Sequence, residues 1–238
     1  MLLLLLRGHG AGTPVGSLPT VDTFTAADGT DLDGREPDQG DGVWDVLSGA
    51  ADIQSNRLRA GVGGTDTIAV IDTGQTNHVT AIDLVSGTVT DTWLLVRYRI
   101  VSGGTDTYFA VRNNGGTLQL FEQAGAGLTL RDSDTGAGTY PSTVTVTCSG
   151  SAITCACGSA SFTYSAGAPH AEATYVGILA EQEATFDNLN AEESADRDTR
   201  YPTGRYSKTQ NGTGRASRAL AVSGKAGKSV GVTGRMPN

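Results

Sequence analysis

The sequence has little of what helical proteins are built from. Charged residues make up 18% of its 238 positions and aromatic residues 6%. No stretch sustains an apolar repeat of 3.6 residues, which excludes amphipathic helices as the main building block. Cysteine occurs three times, at Cys148, Cys155 and Cys157. An odd, clustered set is not a disulfide framework. Long apolar runs are also missing. Leu2–Leu6 offers five residues, against about 20 for a membrane span. A signal peptide wants a basic region followed by about 7–15 apolar residues. The run reads instead as an apolar plug, either docked on a neighbouring subunit or frayed. There is no P-loop, no G-x-G-x-x-G after a strand, no EF-hand loop and no G-x-S-x-G context. His9, His78 and His170 are scattered through loop-like sequence and read as surface residues.

What is abundant is glycine, 33 residues, together with Thr, Ser, Asp and Ala. That profile fits an all-β chain with many turns. Residues 1–20 form an apolar and Gly/Pro-rich leader. From residue 21 to about 193, short alternating stretches are separated by turn residues. Strands are predicted at Val21–Thr25, Val43–Leu47, Ile53–Leu58, Thr67–Asp72, Val79–Val85, Thr92–Val101, Thr107–Arg112 and Thr117–Ala124. Further strands follow at Leu128–Asp132, Ser142–Cys148, Ala152–Cys157, Ser161–Tyr164, Tyr175–Ala180 and Ala184–Ala191. Many short strands with Gly-rich turns predict a two-sheet antiparallel sandwich or jelly roll.

Parity assigns the faces, because alternate strand residues point to opposite sides. Leu94, Val96, Tyr98 and Ile100 share one side and are expected in the core. Trp93, Leu95, Arg97, Arg99 and Val101 share the other. Phe109 and Val111 alternate in the same way with Tyr108, Ala110 and Arg112. In VTVTCSGSAITCAC a two-residue turn at Gly150-Ser151 puts Val144, Val146, Cys148, Ile153, Cys155 and Cys157 on one side. The cysteines then serve as small buried hydrophobes. A diagonal Cys148–Cys155 disulfide and a metal site are the alternatives.

The stretch DTFTAADGTDLDGREPDQGDGVWDVLSGAADIQSNRL, Asp22–Leu58, resembles the opening of concanavalin A-like lectin/glucanase (LamG-like) domains. Its features are a D-x-F strand, a D-G-T-x-L loop, a Pro-Asp turn, a Trp and an I-Q-x-N strand. TDTYFAVRNNGGTLQLFEQ resembles their paired central strands, and YVGILAEQEATFDNLNAEE their final strand with an F-D-N signature at Phe186, Asp187 and Asn188. The resemblance implies a jelly roll with its first and last strands side by side. The family holds glycan binders, glycan hydrolases and non-catalytic surface modules, and copies with this opening are similar to bacteriophage tail and head-decoration modules. Fold alone does not choose among these functions.

Glycoside hydrolysis needs two carboxylates about 5–10 Å apart. Glu181, Glu183 and Asp187 share parity, but they fall on the terminal strand with a spacing unlike the family's catalytic run. The chain is therefore expected not to be an enzyme. Asp31, Asp33, Asp38 and Asp41 crowd one glycine-rich loop. Asp31 and Asp33, with Asp187 approaching from the last strand, form a candidate structural Ca²⁺ site, the alternative being a plain polar turn. Glycan binding would use Trp93, Arg97, Arg99, Tyr108, Arg112 and Gln119, the residues that parity sets opposite the core. Cover by another layer or subunit is the alternative for that face, and Trp44 is expected in the core.

The charge of the chain, −8, is divided. Residues 1–196 hold eight Lys/Arg against 24 Asp/Glu, a balance of −16, and residues 197–238 hold nine against one, a balance of +8. Residues 194–238 read as a basic arm in a ten-residue register: Arg205 and Lys208, Arg215 and Arg218, Lys225 and Lys228, then Arg235. Extended, such an arm suits addition to the sheet edge of another subunit, with its cations meeting an acidic body. The acidic body argues against nucleic acid as the main partner. These features predict a non-enzymatic protein of a phage virion or surface lattice, a decoration or tail component, partnered by copies of itself and other virion proteins. A carbohydrate-binding adhesion module is the alternative. No membrane span or signal peptide is legible, and a virion or extracellular surface assembly is the expected location.

Overall fold

A computed structural model describes residues 16–86, 92–125, 127–165, 170 and 172–194. All of them fall within the unit Met1–Asp198. They form strands and turns, and no helix among them is long and apolar enough to cross a membrane.

Sixteen strands are described. They are β1 (Thr20–Asp22), β2 (Thr30–Asp31), β3 (Trp44–Ser48), β4 (Ala51–Ile53), β5 (Leu58–Ala60), β6 (Thr67–Asp72), β7 (His78–Ser86) and β8 (Thr92–Arg99). The second half adds β9 (Thr107–Asn114), β10 (Thr117–Gln123), β11 (Leu128–Thr135), β12 (Ser142–Ser149), β13 (Ala152–Cys157), β14 (Ala160–Ser165), β15 (Tyr175–Ala180) and β16 (Ala184–Glu193). One sheet runs β14-β13-β12-β7-β16-β5-β4-β2, with β1 also on β16. The other runs β11-β10-β9-β8-β15-β6-β3. All the pairings are antiparallel. The two sheets pack as a jelly-roll sandwich. Between them lies a core of alternate residues, including Ile82, Leu84, Leu94, Val96, Phe109, Val111, Leu118, Leu120, Val144, Val146 and Phe186.

The first and last strands lie side by side, with Thr20 opposite Ala191. Asp22 pins this junction. Wholly buried, it accepts hydrogen bonds from the Phe24 N–H (2.8 Å) and the Trp44 indole (2.8 Å), and an ion pair from Arg35. This gives the D-x-F opening and the early Trp a physical reason. Trp44 is in the core, as expected.

Two expectations are corrected. The single strand Ile53–Leu58 is a hairpin, β4 and β5, closed by Ser55 and Asn56, both with φ of 55°. Two consecutive left-handed residues make a type I′-like turn. Asp28 holds it through the Ser55 N–H and the Gln54 amide, each at 2.7 Å. Two of the three histidines are not surface residues either. His78 and His170 are buried, His78 against Thr80 at 2.8 Å and His170 against Glu122 at 3.0 Å. His9 lies outside the described residues. The three cysteines are free and buried on the predicted side of their hairpin, with Val146 opposite Cys155 and Cys148 opposite Ile153.

Candidate functional site

The outer face of the seven-stranded sheet carries a second apolar cluster. Val70, Trp93, Leu95, Tyr98, Tyr108, Ala110 and Leu179 are buried there, flanked by Leu47, Ile68, Ile100, Phe121, Leu128 and Tyr175. Strand register arranges these side chains in three rows across the sheet. One row runs Ile68, Leu179, Trp93, then Arg112, Gln119 and Ser133. The middle row runs Val70, Gly177, Leu95, Ala110, Phe121 and Leu130. The third has Asp72, Tyr175 and Tyr98, with Tyr108 stacked on Tyr98 at 5.0 Å and 6°. Gly177 and Ala110 are small and stand between taller side chains, Leu179 and Tyr175 beside the one, Arg112 and Tyr108 beside the other. The face is therefore a trough running across the strands.

At the β9–β11 end lies a polar–aromatic group. The Arg112 guanidinium sits 4.3 Å from the Trp93 ring centroid and 5.0 Å from that of Phe121. Trp93 and Phe121 meet edge to face at 5.2 Å. Arg112 Nε donates to the Gln119 side-chain oxygen at 2.9 Å. The Trp93 indole N–H is buried without an acceptor. Beside this group Leu130 is 48% exposed.

At the other end the rim is acidic. The Tyr98 hydroxyl donates to Asp106 at 2.6 Å. Burial, then this bond and the negative charge of Asp106, push the Tyr98 phenol far above its ordinary range. Tyr108 is raised by burial and then by Asp106 and Glu181, and Tyr175 by burial and then by Asp72 and Asp45. A shallow cleft of about 270 Å³ opens here, lined by Tyr98, Arg99, Ile100 and residues 172–175.

Of the six residues predicted for glycan binding, the fold brings Trp93, Tyr108, Arg112 and Gln119 onto this face. Arg99 ends β8 and is exposed beside the cleft. Arg97 is not on the face. It adopts a φ of 48° at a register slip against β9. Such a β-bulge reverses the alternation beyond it. Arg97 turns inward, 1% exposed, and donates to the Gly150 carbonyl in the β12–β13 turn of the opposite sheet. Tyr98, expected in the core, turns outward instead. Phe121, Leu130, Tyr98 and Tyr175 were the residues missed. Alternation in TLQLFEQ already sets Phe121 beside Gln119, whereas Tyr98 has no local sequence signal.

The three carboxylates weighed for hydrolysis do not gather. Glu181 and Glu183 occupy the turn between β15 and β16, and Asp187 lies on β16 of the other sheet, 3.6 Å from Arg57. Burial raises the Asp187 carboxyl above its usual range. The candidate calcium set also comes apart. Asp31 is on β2 and Asp187 on β16, three strands apart in the sheet order, which is roughly 14 Å. Asp31 accepts from the Asp33 N–H at 3.1 Å and Asp33 from the Val46 N–H at 3.2 Å, so these carboxylates shape the loop. Among the described residues no group of three or more His, Cys, Asp or Glu is placed to hold a metal. The arm residues Arg205, Lys208, Arg215, Arg218, Lys225, Lys228 and Arg235 lie outside the described residues.

No family model matches this sequence, and no curated protein matches it. Solved structures similar in fold include the carbohydrate-binding module CBM66 from Bacillus subtilis, at 10% identity and a TM-score of 0.47, covering 63% of this chain and 95% of that one. The exoplasmic/lumenal domain of VIP36, bound to Ca²⁺ and Man3GlcNAc, matches at 12% identity and a TM-score of 0.46, covering 66% and 86%. Alginate lyase A1-II′ matches at 10% and 0.37, covering 64% and 79%. At these values the function has to be argued from the chain's own residues.

Proposed function

We propose that this protein is a non-catalytic, glycan-binding jelly-roll module acting at an extracellular or virion surface, with the β9–β11 end of the outer face as its binding surface. The observation that carries the reading is the Arg112–Gln119 pair planted over Trp93 and Phe121. Sugars present apolar C–H faces and rims of hydroxyls. Half-buried Phe121 and exposed Leu130 match the former, and the planar guanidinium and amide groups, which Trp93 supports from below, match the latter in paired hydrogen bonds. Few precisely placed polar groups among apolar neighbours are the usual make-up of a small-molecule site. Catalysis is left out because Glu181, Glu183 and Asp187 do not converge on this face.

A glycan array followed by calorimetry tests the reading. Arg112→Ala and Gln119→Ala should each weaken binding by about tenfold, equivalent to ~1.4 kcal/mol, with the unfolding free energy little changed. Absence of binding to any arrayed sugar, or binding indifferent to both substitutions, rejects it.

A second reading rests on a different observation, the division of charge between residues 1–196 and 197–238. In it the chain is a structural component of a virion or other lattice, linked to its neighbours by the arm. The two readings are compatible, since one rests on the outer face of the sandwich and the other on the arm.

A further inference from the structure

Every member of the outer-face cluster stems from the seven-stranded sheet or from Ile100, which directly follows β8. Among the described residues this is one layer of a core without its second. Yet Val70, Leu95 and Ala110, the floor of the trough, have no solvent exposure, and Tyr98 and Trp93 have 1% and 2%. Side chains this large do not sit dry on the open face of a sheet, because water reaches them unless something packs above. The question is what occupies the trough.

The chain enters the described fold at its rim. Gly16 is buried and so close to β6 that a Cβ on it would stand 1.6 Å from the Asp72 carbonyl oxygen. Asp72 faces Tyr175 in register at the end of the third row. The described chain thus begins at this rim, and the preceding segment, MLLLLLRGHGAGTPV, lies outside the described residues. Leu6 lies ten residues before Gly16, a reach of roughly 33 Å when extended. From β6 to β9 the trough crosses three strand spacings, roughly 14 Å, and Leu2–Leu6 extended covers about 13 Å. Five successive leucines have a large apolar surface to bury and a dry trough of matching length within reach. Arg7 is a cation, and Asp45, Asp72, Asp106 and Glu181 give the rim the opposite sign.

We propose that Leu2–Leu6 docks in cis into this trough and supplies the second layer over Val70, Leu95 and Ala110. The segment is an intramolecular plug. The basic arm is the poorer occupant. Its apolar residues are spread among glycines and cations, and β16 delivers it from the nine-stranded sheet, where the Ser194 N–H bonds to the Asn77 carbonyl at 3.5 Å.

The test uses the full-length chain with Leu4→p-benzoylphenylalanine. After irradiation, mass spectrometry should find the main adducts on Val70, Leu95, Ala110 or their trough neighbours, in a product of monomer mass. A double variant, Leu4→Asp with Leu6→Asp, charges the side that the crosslinker probes and leaves the inter-sheet core untouched. It should show a rise in acrylamide quenching and a red shift of tryptophan emission as Trp93 becomes wet, with Trp44 still shielded. Adducts on the nine-stranded sheet, a crosslinked dimer, or emission unchanged in the double variant would overturn the proposal. The dimer would assign the trough to the leucines of a second copy. Sugar binding that depends on Arg112 can persist or vanish in either case, so this inference and the glycan reading fail separately.

Discussion

His78 shows how much a single buried residue says about the behaviour of the protein. Burial, aided by the nearby Arg97 charge, holds its imidazole down at about pH 4, against the ordinary 6.5. The unfolded chain takes up this proton near pH 6.5, whereas the native protein refuses it until about pH 4. Between those values the unfolded state binds more protons, so stability falls as the pH drops. From pH 7.5 to pH 4.5 the loss through this one group is ~2–3 kcal/mol. Urea titrations at both pH values should show it, and His78→Gln should lose that much less over the same span. Parallel pH dependences for the two proteins would remove His78 as the cause. The cysteines make a second residue-scale case. Burial pushes the Cys148 thiol up to about 12 and Cys155 higher still, with Cys157 also raised. The thiolate is the reactive form. None of the three should therefore react with a disulfide reagent at pH 8 until urea unfolds the protein, and all three should react then. Cysteine burial was legible because Cys148, Cys155 and Cys157 keep step with Val144, Val146 and Ile153. Histidine burial was legible too, in HVTAIDLV, where His78 shares the face of Thr80, Ile82 and Leu84. The residue type hid what the alternation stated.

Among the elements, β6, β13 and β15 begin and end where the sequence placed them, at Thr67–Asp72, Ala152–Cys157 and Tyr175–Ala180. Each is bounded by turn residues and carries an uninterrupted pattern. β8 was placed as a strand, but its faces were legible only as far as Val96. An arginine at a φ of 48° has no propensity signature, because non-glycine residues adopt left-handed backbone only where their surroundings demand it. Here the Gly150 carbonyl on the opposite sheet makes that demand. The candidate site was accordingly readable at Trp93, Tyr108, Arg112 and Gln119 and unreadable at Tyr98. The same trough supplies a test at the level of strand packing. A methyl group on Gly177 would stand 2.1 Å from the Ala69 carbonyl oxygen and 2.8 Å from the Val70 Cα. Both are backbone atoms and cannot swing aside. Gly177→Ala should force β15 away from β6 and destabilise by about 3 kcal/mol, the upper range for overpacking. Gly103→Ala is the control for backbone strain alone, since its φ is 71° and nothing lies within 4 Å of the added carbon. Chemical denaturation should rank Gly177→Ala as clearly the worse of the two. Equal losses would mean that β15 and β6 are not in close register contact at this point.

For the whole molecule, the division of charge carries the argument that no single site can. The −16 segment includes the sandwich: eight Lys/Arg against 24 Asp/Glu leave it an excess of sixteen negative charges. Residues 197–238 bring nine cations and one acid. Opposite charges of this size can attract across copies as well as within one, and on the proposed lattice reading the ten-residue register would suit an arm added to a sheet edge. Surface charges are screened beyond about 10 Å at 0.1 M salt and beyond about 3 Å at 1 M. An association held by the arm must therefore weaken as salt is added. Light scattering should find full-length protein at a multiple of the chain mass at low salt and at the monomer mass near 1 M. Protein lacking residues 197–238 should stay at the monomer mass throughout. Its net charge becomes −16, so its copies repel one another once the cations are gone. A full-length chain that stays monomeric at high concentration and low salt would leave the arm without this role, and association that survives both the deletion and the salt would assign the contact to an apolar surface.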